Sequence, residues 1–108
     1  MSKLKPAWLV GDEDGFTVTL SRRATINGVQ VGALSMRPPT LGDIRVAQRL
    51  GGKDDQKVEG FLFASLCGCG VDEFDGILYK DFRRLQLAYD RFLDDSENTG
   101  SATDLLRS

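Results

Sequence analysis

Residues 16–50 read FTVTLSRRATINGVQVGALSMRPPTLGDIRVAQRL, and this stretch decides the fold. Phe16, Val18 and Leu20 alternate with Thr17, Thr19 and Ser21, so a strand carries the apolar three on one face and the hydroxyls on the other. Asn27-Gly28 separates Ile26 from Val29. Both residues tolerate the positive φ angles of a type I′ turn, which makes the flanking segments the arms of a hairpin. Val29 and Val31 continue the apolar face. The phase then slips, because the next apolar pair is Leu34 and Met36. One extra residue at Gly32-Ala33, a β-bulge, returns that pair to the face of Val18 and Leu20. Pro38-Pro39 ends the second strand, since neither residue donates to a ladder. Thr40 is placed to cap a helix, with Asp43 at the third helical position.

Working outward, the first helix spans about Leu41 to Leu50. Leu41, Ile44, Ala47 and Gln48 lie on one side, with Leu50 near its edge, and Gly51-Gly52 forms a left-handed cap. Lys53-Asp54-Asp55 opens a second helix whose acidic first turn suits the helix dipole. Its stripe is Val58, Phe61, Leu62, Ser65 and Leu66. Phe63 and Ala64 widen that stripe, so the helix is apolar nearly all round and central. Gly68 and Gly70 end it. Asp72 caps a short turn through Phe74 and Asp75 that Gly76 stops, and Ile77-Leu78 is an apolar link. The last helix spans about Lys80 to Leu93, with Phe82, Leu85, Tyr89, Phe92 and Leu93 on one face and Arg83, Arg84, Asp90 and Arg91 on the other. Upstream, Trp8, Leu9 and Val10 either pack on the core or add an edge strand. Gly11 to Gly15 is an acidic turn without the ligand spacing of an EF-hand. The expected core is Val18, Leu20, Leu34, Phe61, Leu62, Leu66, Phe82, Leu85 and Tyr89. The fold class is α+β: an N-terminal bulged β-hairpin followed by a small bundle of three to four helices. Residues 1–15 form an N-terminal extension, 16–93 a single domain, and 94–108 a polar, flexible C-terminal tail.

Composition narrows the function. The chain has 108 residues, enough for one domain with a modest core. Its formal charge of −2 does not provide the clustered basic surface of a nucleic-acid binder. No run of about eighteen apolar residues spans a membrane. The short run Ala7 to Val10 falls below a signal h-region, so the expected location is the cytoplasm. Histidine is absent, which removes the usual general base, the Ser-His and Cys-His pairs and the commonest metal ligand. Cys67 and Cys69 cannot close a zinc site alone. They are either a redox pair or two small buried thiols in a reducing compartment. The acidic pairs Asp12/Glu13, Asp54/Asp55, Asp72/Glu73 and Asp94/Asp95 fall at turns or helix starts, and capping accounts for three of them, which argues against a catalytic dyad. Gly51-Gly52-Lys53-Asp54 lacks the upstream glycine and following Ser/Thr of a phosphate loop. No catalytic residue, cofactor or metal site is expected, and the protein is read as a non-enzyme.

Four segments taken in order carry a resemblance: VTLSR (18–22), INGVQV (26–31), LSMRPPTLGDIRVAQRLGG (34–52) and LCGCGVDEFDGILYKDFRRLQLAYDRFL (66–93). Together they resemble the phage tail assembly chaperone family of Mu-like and related contractile-tailed phages. The resemblance rests on order and spacing over roughly Phe16 to Leu93, with no catalytic motif in it. It implies a protein acting in the cytoplasm of the bacterial host. There it binds the long tape measure protein before the tail tube forms, keeps it soluble, helps recruit tail tube protein and leaves before the virion is complete. It also implies a longer product made by ribosomal frameshifting, and Arg91-Phe92-Leu93 and Gly60-Phe61-Leu62 are both compatible with a slippery codon run. Two other readings stand beside it. One is a small structural tail component. The other is a DNA-binding regulator with the first two helices as a helix-turn-helix, against which the second helix has no basic reading face.

A second helix this apolar is not fully covered by one hairpin and two short helices. The expected partner-binding patch lies between it, the link and the last helix, and consists of Phe63, Ile77 and Leu78. Arg83 and Arg84 would form a rim that pairs with acidic residues of the incoming segment. The same patch could instead be a homo-oligomer contact. The arginines taken singly read as solvated surface charge.

Overall fold

A computed structural model describes residues 5–94. Three strands, β1 (Leu9–Asp12), β2 (Gly15–Ile26) and β3 (Val29–Met36), form an antiparallel sheet in that order. The β2–β3 hairpin turns at Asn27 and Gly28, with φ of 54° and 79°, the left-handed pair that a type I′ turn requires. Leu9 and Val10 take the edge-strand option, with Leu9 opposite Val18. The acidic turn between β1 and β2 is solvated, and Asp12 Oδ1 accepts the Asp14 N–H at 2.9 Å. Gly11 sits at φ 119°, where a Cβ would lie 2.2 Å from the Gly15 carbonyl oxygen, so only glycine closes this turn.

The bulge differs from the expected one. Between the Thr19–Ala33 and Ala24–Val31 pairs, β2 advances five positions while β3 advances two. The surplus residues therefore belong to β2, where Leu20 to Arg23 face Gly32, and not to β3. The phase of β3 does slip at Gly32, so the pattern located the irregularity but assigned it to the wrong strand. The physical reason is a side chain distant in sequence. Asp81, fully buried, accepts the Ser21 N–H at 2.9 Å and the Arg22 N–H at 3.3 Å. These N–H groups lie where the ladder is interrupted, and the carboxylate satisfies them.

The chain then enters α1 (Leu41–Gly51), α2 (Asp55–Cys67), a 3-10 turn (Val71–Gly76) and α3 (Tyr79–Leu93). The Thr40 hydroxyl accepts the Asp43 N–H at 3.2 Å while the Asp43 carboxylate accepts the Thr40 N–H at 2.9 Å, a complete capping box. Arg37 grips the same carboxylate with two bonds of 2.7 and 2.8 Å, and its backbone N–H donates to Leu66 O at 3.1 Å. One residue thus joins the end of β3 to the start of α1 and the end of α2. Asp54 caps α2 by accepting the Gln56 and Lys57 N–H groups. Gly51 ends α1 in a buried position against Val58.

At the 3-10 turn the cap position is Gly70 rather than the expected Asp72. The Glu73 carboxylate accepts the Gly70 N–H at 2.9 Å and also the Asn27 N–H, so the hairpin tip is tied to this turn. Those two bonds hold its carboxyl below the usual range.

The core gathers Phe16, Val18, Leu34 and Met36 from the sheet, Leu62, Phe63 and Leu66 from α2, and Leu85 and Ala88 from α3. Phe63 stacks on Phe82 and Tyr89 at centroid distances of 5.5 and 5.2 Å. Phe61, Phe82 and Tyr89, expected inside, are only partly buried. Val29, expected on the inward face, is largely exposed. Residues 1–4 and 95–108, which include nearly all of the expected tail, lie outside the described residues.

Candidate partner-binding groove

A groove of about 630 Å³ opens between the C-terminal end of α1, the first half of α2, the 3-10 turn and the start of α3. Each wall contributes an apolar side chain: Leu50 from α1, Phe61 from α2, Val71 and Phe74 from the 3-10 turn, and Phe82 from α3. Leu50 is 57% exposed, and the three phenylalanines are partly buried. The rings of Phe74 and Phe82 meet edge to face at 5.5 Å, so the floor is a packed aromatic surface. Gly60 allows this shape, because a Cβ there would come within 3.1 Å of a Val71 methyl. A bond from Gln86 Nε2 to Glu59 Oε1 at 3.0 Å ties α3 to α2.

Asp54, Asp72 and Asp75 line the groove, with Lys57 as the basic residue among the lining side chains. Its rim is therefore acidic on balance.

The residues expected to form the patch are placed differently. Phe63 is fully buried. It points toward α3 because Phe63 and Leu66, not Phe61, share the inward face of α2 once the sheet and α3 are in position. Phe61 takes the exposed role. Ile77 is partly buried against the core, and the Leu78 carbonyl accepts the Asp81 and Phe82 N–H groups at the start of α3. Arg84 turns to the sheet. Its Nη1 donates to Thr19 O at 2.7 Å, its Nε lies 3.9 Å from Asp81 Oδ1, and its guanidinium lies 5.2 Å from the Trp8 ring centroid. Arg83 is exposed and donates to Gln86 Oε1. Neither arginine lines the groove. Sequence reasoning missed Leu50, Val71 and Phe74 as groove residues. The available signal was that α2 is apolar all round, which says that some of its rings stay uncovered but not which.

The two thiols lie apart from this groove. Cys67 and Cys69 are free, and burial pushes the Cys67 thiol up to about 12 and raises that of Cys69. Thiols so protonated are poor nucleophiles and poor ligands.

The model of a family described as phage tail assembly chaperone proteins, E, or 41 or 14, matches residues 17–94. The chain belongs to this family of tail assembly chaperones. The match runs from β2 to the end of α3 and includes every residue that lines the groove. No curated protein and no solved structure matches the chain. Among the described residues of this chaperone, no helix is long and apolar enough to cross a membrane.

Proposed function

We propose that this tail assembly chaperone holds a segment of the tape measure protein in the groove between α1, α2, the 3-10 turn and α3. It acts in the host cytoplasm without catalysing a reaction, keeps the long protein soluble until tail tube protein assembles around it, and is not retained in the virion. The observation that carries this reading is the cluster of Leu50, Phe61, Phe74 and Phe82 on the walls of one open groove in a chain of this family. A long, apolar-faced protein aggregates while unpaired, and a groove of this kind shields such a face.

Co-expression with the long protein encoded beside this gene tests the reading, comparing wild type with Leu50→Asp. Leu50 is exposed enough for the variant to keep its fold, and circular dichroism checks that it does. Wild type should hold the long protein in the soluble fraction and co-purify with it, and the variant should leave it in the pellet. A folded variant that still solubilises and co-purifies with the long protein overturns the groove. Mass spectrometry of purified virions should find the tail tube protein and not this chain.

A further inference from the structure

The walls of the groove determine the chemistry of what it accepts. Helices and a 3-10 turn line it, and no strand does. An extended segment would find no ladder to join and would leave backbone groups unpaired, whereas a helix brings its own hydrogen bonds satisfied. These walls suit a helical occupant with an apolar stripe for Leu50, Phe61, Phe74 and Phe82.

The rim sets the sign of the charges beside that stripe. Asp54, Asp72 and Asp75 stand against Lys57 alone among the lining residues, and all four are exposed. The arginines expected to supply a basic rim are elsewhere, with Arg84 bonded to the sheet and Arg83 to Gln86. Resting on the groove reading above, we infer that the bound segment is a cationic amphipathic helix, its apolar stripe flanked by Lys or Arg that face Asp72 and Asp75. Opposite potentials across such a rim select the partner and steer its approach more than they add affinity. The preference weakens with salt because these carboxylates are in water.

The probes are two labelled helical peptides with one leucine stripe, flanked by lysines in one and glutamates in the other, followed by fluorescence anisotropy. At low salt the lysine peptide should bind about tenfold more tightly or better, and the ratio should shrink as salt rises. Asp72→Lys with Asp75→Lys should abolish or reverse the preference. Glu13→Lys with Asp14→Lys makes the same change in net charge in the β1–β2 turn, away from the groove, and should leave the preference intact. Equal binding, preference for the glutamate peptide, failure of both peptides to bind, or equal loss in the Glu13/Asp14 variant overturns the inference. The Leu50→Asp co-expression result separates the two ideas. If that variant fails to hold the long protein while the peptides show no charge preference, the groove stands and the cationic partner does not.

Discussion

The carboxylate of Asp81, on the first turn of α3, accepts the backbone N–H of Ser21 in the β2 bulge at 2.9 Å, across sixty positions of sequence. A second bond from Arg22 and the guanidinium of Arg84, 3.9 Å away, complete its surroundings. Together with the bond from Arg84 to Thr19 O at 2.7 Å, this contact holds α3 to the irregular part of the sheet.

Removing that carboxylate leaves the Ser21 and Arg22 N–H groups without their acceptor, so Asp81→Ala should cost about 2–4 kcal/mol. Urea unfolding measures it, and a loss within error of zero would show that water replaces the carboxylate.

The same residue shapes the acid limb of stability. Burial alone would raise the Asp81 pKa, but the bonds from Ser21 and Arg22 and the charge of Arg84 hold it below the ordinary value. Asp43 is held well below that range by Arg37 and Thr40. A carboxyl with a lowered folded pKa contributes stability that is present above its unfolded value of about 4. That stability is lost as pH falls through the folded value. Urea midpoints should be level from about pH 5 to 7 and fall below about pH 4. In Asp81→Asn the fall should be shallower. An identical acid slope in the variant would remove Asp81 from the account.

Phe63 and Phe61 should separate cleanly. Phe63→Ala opens a cavity beside Phe82 and Tyr89 and should cost about 3–5 kcal/mol. Phe61 faces the groove, so Phe61→Ala should cost less than half as much, about 1–2 kcal/mol. Urea midpoints at unchanged m-value decide it, and equal losses would place Phe61 in the core.

Two glycines of α1 should respond with opposite sign. At Gly51 a Cβ would lie 2.6 Å from the Val58 backbone nitrogen and 2.8 Å from its Cα. Backbone there does not yield, and Gly51→Ala should cost about 1–3 kcal/mol. At Gly42 the nearest atom is the Thr40 hydroxyl at 3.7 Å. Gly42→Ala should gain up to about 1 kcal/mol from helix propensity. Thermal melts of the pair, one lower and one higher than wild type, are the expected result.

The thiols should differ in reactivity. Burial pushes the Cys67 thiol up to about 12, so it holds very little thiolate at pH 8. Brief treatment of the native protein with iodoacetamide should label Cys69 first and spare Cys67, and unfolding in urea should make the two equal. Mass spectrometry reads the order, and faster labelling of native Cys67 would contradict its burial.

The local elements were legible because local chemistry makes them. Asn27-Gly28 specifies a turn through positive φ, and Thr40 with Asp43 builds a cap from its own backbone. Asp54 opens α2 and Gly68 closes it in the left-handed conformation. Alternation in β2 marked Phe16, Val18 and Leu20 as buried, as they are, and the α+β class followed from these signals alone. Tertiary structure decided what two distant segments settle between them. Asp81 reads as an ordinary acidic residue in a helix's first turn until the sheet brings Ser21 to it, and that contact places the bulge in β2. On α2 the periodicity is nearly featureless, because apolar residues surround the whole helix. The pattern put Phe61 on the inward stripe and Phe63 beside it, and the positions of α3 and the 3-10 turn reverse the two, burying Phe63 and leaving Phe61 in an acidic groove. Arg84 points to the sheet for the same reason: its partner, Thr19 O, lies sixty-five positions away, and no pattern within α3 records it.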